Sequence, residues 1–266
     1  MAIIVLDKSY LQAVRRQDLL ALDEHNELVV TGSLFYELLT GDEEARRRVF
    51  AKLPQRDNPV RLLDNVSSLL THESTTHTSA GNVLNHELGF AFKFNPRLME
   101  PGYQLPADAL EGIRENEELT RSFVELNVLR TNAVVDMFRA VTTGSDSTRR
   151  AALAEIEQEI KDPERVLEFY RSLNDPELPP PDLLTPEWAT FRLYQTSLLF
   201  SLHSIHRHRG QIPTPLSVTE FEKLEHDFHD QVGLCTGILA GGFATNEKKL
   251  QRWCALLNPA AILIST

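Results

Sequence analysis

The sequence predicts an α/β fold, a three-layer parallel sheet built from the two ends of the chain and interrupted by a long, mostly helical insertion. Three observations carry that expectation. Ile3 to Leu6 is an unbroken run of β-preferring apolar residues, as in a strand covered on both faces. Strand and helix patterns alternate near both termini. Between them the spacing of apolar residues is helical wherever a period is visible.

Each element can be justified in order. Ile3 to Leu6 forms the first strand and Asp7 ends it. Ser9 to Leu22 reads as one helix, with Leu11, Val14, Leu19 and Leu22 at mixed three-, five- and three-residue spacing. Leu28 to Thr31 makes a second strand, and Gly32-Ser33 breaks the pattern before a helix from Leu34 to Leu39. Strand, helix and strand of this length imply a parallel pair joined by a right-handed crossover. The charged run Asp42 to Arg48 continues that helix on a solvated face, Pro54 stops it, and Val60 to Leu63 is a third strand. Asn65 to Phe94 has no clear period. Helical spacing returns over Leu119 to Val141, Arg149 to Ile160, and Asp162-Pro163 to Leu173. Asn174 to Pro186, with Pro179, Pro180 and Pro181, is a stiff connector. Glu187 to His206 reads as a long buried helix. After the break Gly210 to Pro215, a helix runs from Thr219 to Leu239 and Gly241-Gly242 ends it. Phe243 to Thr245 is a short strand, Asn246 to Leu257 a helix and Ala261 to Ser265 a last strand. The expected division is one composite core of residues 1–70 and 216–266 around an insertion of residues 71–215, too long for a mere connection.

Composition narrows the function classes. With 42% hydrophobic and 24% charged residues, the chain is a folded globule rather than a disordered or fibrous protein. Cys235 and Cys254 are its only cysteines and form no CxxC, which argues against a disulfide scaffold or a cysteine zinc site and points to the reducing cytoplasm. The apolar run Ala2 to Leu6 is too short for a signal or a membrane span, so no membrane partner is expected. A formal charge of −11 disfavours a constitutive, sequence-blind nucleic-acid binder, because phosphate affinity comes from Lys and Arg. It leaves a nuclease open, since carboxylates that bind divalent cations are negative by construction.

The chemistry-bearing candidates are carboxylates. Asp7 follows the first strand at its carboxyl end, where open α/β sheets place ligands. Glu37 is the single acid among Phe35, Leu38 and Leu39. Asp227 and Asp230, three apart, fall on roughly one helix face. Glu247 lies in a Thr-Asn-Glu-Lys turn after the next strand. Taken singly each has a bland explanation: a strand end, a surface helix, compensation of a helix dipole.

Their order and spacing nevertheless resemble the PIN domain of nucleases, across about eighty residues at the two ends of the chain. The shared features are a strand followed by Asp-x-Ser, a helix glutamate after the second strand, an Asp-x-x-Asp helix and a Thr-x-acid-Lys turn. The resemblance implies that Asp7, Glu37, Asp230 and Glu247 hold Mg²⁺ or Mn²⁺, with Asp227 as an alternative or addition to Asp230, and that Ser9 and Thr245 orient the carboxylates or a metal-bound water. Glu247 stands where that family usually has aspartate, and the gap between Glu37 and Asp230 requires the insertion. The implied activity is metal-dependent endonucleolytic hydrolysis of phosphodiester bonds, with RNA ranked ahead of DNA, and the family's occurrence among toxins and phage-defence effectors implies such a role, with a protein partner or inhibitor. A DNA nuclease with the same site and a catalytically inactive interaction module are the rival readings.

Other clusters are weaker. His203, His206 and His208, with Arg207 and Arg209, read as a cationic helix end that satisfies carbonyls and touches nucleic acid. His72, Glu73, His77, His86 and Glu87 lack a His-Glu-x-x-His frame. Arg46 to Arg48 and Arg149-Arg150 read as solvated faces, and no phosphate-binding GxxxxGK[ST] loop exists.

Overall fold

In a computed structural model that describes residues 1–56, 58–63, 66–86, 95–173 and 178–266, the two chain ends meet in the middle of one sheet. Strands β1 (Ala2–Leu6), β2 (Asn26–Thr31), β3 (Arg61–Leu63), β4 (Gly242–Ala244) and β5 (Ile262–Ile264) are all parallel, in the order β3-β2-β1-β4-β5. Val5 and Leu6 of β1 pair with Phe243 and Ala244 of β4, while Ala2 to Val5 pair with Asn26 to Val29 of β2.

The helices, in chain order, are α1 (Lys8–Ala13), α2 (Arg16–His25), α3 (Gly32–Thr40), α4 (Glu43–Phe50), α5 (Val66–Thr76), α6 (Ala107–Ala133), α7 (Asp146–Glu159), α8 (Pro163–Leu173), α9 (Ala189–His208), α10 (Val218–Ala240) and α11 (Lys248–Leu257). Side chains alternate across a strand, so each face of the sheet builds its own core. Ile4, Leu6, Leu28, Val30, Leu62 and Ala244 pack with residues of α1 to α4. Val5, Val29, Leu63 and Phe243 pack on the other side with α5, α8, α9, α10 and α11, and α7 joins that layer through Leu153 and Ile156. Both faces are covered, which is why β1 and β2 carry continuous apolar runs. Phe169, Tyr194 and Leu198, from within residues 71–215, share this second core with Val5 and Phe243. Helix α6 links the layers: its Ile113 belongs to the first core, while Val124 and Val128 pack on Ile212 and Leu224.

Several local expectations are corrected. The helix expected over Ser9 to Leu22 is two, because Val14 (ψ 141°) and Arg15 (ψ 148°) are extended; the five-residue gap between Val14 and Leu19 marks the break. Gly32-Ser33 does not interrupt the chain but begins α3, with Thr31 as N-cap accepting from Leu34 N. The charged run after Gly41 is a new helix, α4, capped by Asp42. Helix α6 starts earlier than Leu119 and ends at Ala133, so residues up to Val141 lie in turns and a short 3₁₀ segment, Arg139–Val141. In the unassigned stretch, α5 is a full helix, while residues 64, 65 and 87–94 lie outside the described residues, as do 174–177 of the proline-rich connector.

Two glycines let α10 approach the sheet. Gly241 terminates α10 at φ 74°, the left-handed conformation that glycine adopts without strain. At Gly237 a Cβ would meet the Phe243 ring at 2.8 Å, so only glycine allows α10 to seat on β4. Among the described residues no helix is long and apolar enough to cross a membrane.

Candidate functional site

Strand ends and one helix face define the site. Asp7 leaves the carboxyl end of β1, Thr31 ends β2 and starts α3, which carries Glu37, and Thr245 and Glu247 follow β4. The strand order reverses between β1 and β4, and the crevice outside such a point is the place where open α/β sheets bind ligands. A cavity of about 290 Å³ opens there, and Asp7, Glu37, Asp230 and Glu247 all line it. Helix α10 contributes His226, His229, Asp230 and Gly233, spaced i, i+3, i+4 and i+7 on one face.

Asp7 is the fixed point. It caps α1, and its Oδ2 accepts from Ser9 N at 3.2 Å, from Ser9 Oγ and from Thr245 Oγ1 at 2.8 Å. Ser9 Oγ also accepts from Asn246 N at 3.0 Å, and Thr245 Oγ1 accepts from Glu247 N at 3.1 Å. The two hydroxyls thus tie the end of β1 to the turn after β4 and hold Asp7 by one oxygen. Its Oδ1 has no protein partner among the described residues.

Glu37 accepts from Lys8 Nζ at 2.7 Å and lies 3.6 Å from His226 Nδ1, both through Oε1. Asp230 meets Lys249 Nζ at 3.3 Å through Oδ2. Burial, followed by the nearby charges of Glu247 and Asp7, pushes the Asp230 carboxyl up to about 7 against the opposing pull of Lys249. Burial is the main cause, and the charges of Glu247 and Asp7 add to it. Glu247 is the N-cap residue of α11, yet its side chain makes no capping bond. His229, which sequence reasoning passed over, hydrogen bonds through Nδ1 to Ser33 Oγ, and burial lowers its pKa, which favours the neutral ring.

Asp227 is turned away from this cavity. Its carboxylate meets Arg207 at 2.9 Å and Lys249 at 3.4 Å, and it borders a separate, mostly apolar cavity beside Val124 and Phe228. The two aspartates share one side of α10 and are bridged by the same Lys249 Nζ, but only Asp230 reaches the crevice, while Asp227 leans toward Arg207 of α9.

Most members of the competing clusters are spent on structure, but His206 is not: its buried Nδ1 has no hydrogen-bond partner among the described residues. His203 and Arg252 pair with the buried Glu157, which also accepts from Trp253 Nε1 at 3.0 Å. Arg207 pairs with Asp227, and His208, whose pKa burial lowers, lies 4.0 Å from Glu220, so these side chains face acids rather than helix carbonyls. Glu73, fully buried, caps α9 by accepting from Ala189 N and Thr190 N, each at 2.8 Å. His86 bonds to Ala80 O, and Glu87 lies outside the described residues. Arg46 and Arg47 bond to the carbonyls of Tyr103 and Met99, and Arg149 is buried against Gly144 O. The free cysteines, Cys235 and Cys254, are buried, which pushes their thiols up to about 12 and about 11 and leaves them unreactive.

An all-oxygen donor set suits a hard divalent cation such as Mg²⁺ or Mn²⁺. Asp7 Oδ1, Glu37 Oε2, Asp230 Oδ1 and the Glu247 carboxylate all lack protein partners among the described residues, so each acid keeps an oxygen to offer. As they stand, no three His, Cys, Asp or Glu side chains among the described residues converge as a ready ligand group. The donor chemistry fits a cation; holding one asks the side chains to draw together and Lys249 to release Asp230.

The molecule is thus an all-parallel α/β protein with an acid-lined crevice at the reversal of its strand order. No family model matches the chain, and neither a curated protein nor a solved structure matches it.

Proposed function

We propose that this chain is a metal-dependent nuclease, a PIN-like ribonuclease that hydrolyses phosphodiester bonds with Mg²⁺ or Mn²⁺ held by Asp7, Glu37, Asp230 and Glu247. One observation carries the reading: four acids from four separate stretches of sequence line one cavity, and two of them raise the proton affinity of the third. A carboxylate buried beside two others at a cost to its own ionisation is what a cation site requires, and the packing around Asp230 gives no structural reason for an acid there. When bound, the cation supplies charge relief on the phosphate and a water of lowered pKa.

The residues of the chain do the rest. Ser9 and Thr245 orient Asp7 by one oxygen and leave the other for the ligand. Lys8 and Lys249, resting on Glu37 and Asp230, bring positive charge to the crevice of an otherwise acidic protein and are available to a substrate phosphate. RNA rather than DNA, a toxin or antiviral role, a cytoplasmic location and a protein inhibitor rest on the resemblance and composition already given. A second reading, an inactive PIN-like interaction module, is favoured by the two lysines seated on the acids and by the lack of a converged ligand trio.

The test uses purified wild type, Asp7→Asn and Asp230→Asn with single-stranded RNA and DNA, in Mn²⁺ and in EDTA. Cleavage by the wild type in Mn²⁺ alone, reduced about a hundredfold or more in both variants, is expected. No EDTA-sensitive cleavage by the wild type leaves the inactive module; equal cleavage by all three proteins identifies a contaminant.

A further inference from the structure

A second cavity, of about 250 Å³, shares a wall with the first: Lys8, Glu37, His226 and His229 line both. Its other side is formed by α3 and the amino-terminal half of α6. Three of its lining residues make no side-chain hydrogen bond to protein among the described residues: Tyr36, Asn116 and Thr120. Thr120 is the most telling, since the residue is only 3% exposed. A hydroxyl on so buried a helical residue ordinarily bonds to the carbonyl four residues earlier or to a neighbour; Thr120 Oγ1 does neither yet is not sealed from solvent, so it is open to a ligand or water. Two carboxylates, Glu117 and Glu225, complete the lining, and neither is in an ion pair or hydrogen bond among the described residues.

We propose that this second cavity is a nucleobase subsite that selects guanine next to the cleaved phosphate, with Glu225 as the selecting group; the role in cleavage rests on the nuclease reading above. The size admits one planar base, below the roughly 300 Å³ at which pockets for larger ligands begin. The acids exclude a phosphate from this cavity, so the base and not the backbone belongs in it. Single-stranded RNA is read by splayed bases stacked on aromatic rings and bonded along their Watson–Crick edges, and Tyr36 and His226 supply rings. Guanine alone presents two adjacent donors, N1–H and the N2 amine, which a carboxylate accepts side by side. Adenine, cytosine and uracil each offer that carboxylate a single donor site. Thr120 and Asn116 can then donate to the acceptor atoms on the rest of the purine. The shared wall keeps the base within one nucleotide of the acids.

The test separates the pocket from the chemistry. The full chain, in EDTA, is titrated with guanosine, adenosine, cytidine and uridine and followed by saturation-transfer NMR, beside Glu225→Gln and the near-isosteric Thr120→Val, both checked for folding by circular dichroism. Guanosine is expected to bind about tenfold more tightly than the others, and Glu225→Gln to erase that preference. The same proteins are then given Mn²⁺ and oligoadenylate carrying one G, C or U, where cleavage beside G is expected to dominate in the wild type alone. Equal binding of the four nucleosides, no binding, or a guanosine preference unchanged in both variants overturns the proposal whatever the cleavage result. Guanosine preference without cleavage of any RNA leaves the subsite standing and removes the nuclease reading; cleavage without any guanosine preference does the reverse.

Discussion

Glu73 and Asp230 are both acids held inside the protein, and their surroundings differ in kind. Glu73 receives hydrogen bonds from Ala80 N at 3.0 Å, Ala189 N and Thr190 N at 2.8 Å and Thr190 Oγ1 at 2.7 Å, all at the amino end of α9 where the helix dipole also favours negative charge. Asp230 has one lysine at 3.3 Å, and burial, with smaller contributions from the charges of Glu247 and Asp7, pushes its carboxyl up to about 7. The first acid is satisfied by the fold and stabilises it. The second is buried with a single lysine partner, so its ionisation costs the fold stability. Burial alone does not separate a structural acid from a functional one; the balance of donors and like charges around it does.

Replacing Glu73 with Ala gives the largest expected effect. It strands the buried N–H groups of Ala80, Ala189 and Thr190, and each unsatisfied group costs about 1–3 kcal/mol, so urea denaturation should register a loss of about 3 kcal/mol or more. A loss under about 1 kcal/mol would erase the distinction between the two acids.

Asp230→Asn should act in the opposite direction and depend on pH. A carboxyl whose folded pKa is raised binds more protons folded than unfolded, so its contribution favours the fold at low pH and is lost as pH rises from about 4 to about 7. Removing the charge should therefore stabilise the protein at pH 8 by on the order of 2 kcal/mol, from about 1.4 kcal/mol per pKa unit discounted for relaxation, and do little at pH 4. Thermal denaturation at the two pH values checks this; an equal or larger benefit at pH 4 would contradict it.

The smallest effect belongs to Asp227. Its ion pairs with Arg207 and Lys249 involve part-exposed side chains, and such pairs are worth about 0–1 kcal/mol. Asp227→Asn should shift the urea midpoint only slightly and leave divalent-cation binding unchanged. Loss of cation binding would return Asp227 to the site from which its placement separates it.

How much of this was legible follows from which forces act locally. The apolar runs of β1 and β2 and the punctuation by Gly241 announce themselves because strand burial and helix termination are short-range. Asp7, Glu37, Asp230 and Glu247 could be selected together only through the resemblance of their order and spacing to a known pattern, since each alone has a bland explanation: Asp7 and Glu247 follow strands, Glu37 is on the helix after β2, and Asp230 is on the helix before β4. Helix α5 was not visible, since its buried positions Val66, Leu69 and Glu73 include an acid where an apolar residue would be expected, and only the distant start of α9 explains it. The separation of Asp227 from Asp230 needed the full stripe His226, His229, Asp230 and Gly233, a signal present in the sequence at helical spacing but diluted by two neighbouring acids. Lys8 and Lys249 carried no signal at all, because their roles come from tertiary approach.

The central claim is that Asp7, Glu37, Asp230 and Glu247 form one divalent-cation site, and direct binding tests it without reference to any substrate. Free Mn²⁺ is followed by electron paramagnetic resonance as wild type, Asp7→Asn, Asp230→Asn and Asp227→Asn are titrated, with Mg²⁺ as competitor. The account predicts Mn²⁺ binding by the wild type and by Asp227→Asn, displaced by excess Mg²⁺, and weakened about tenfold or more in the other two variants. Absence of binding by the wild type, or equal binding by all four proteins, would contradict it.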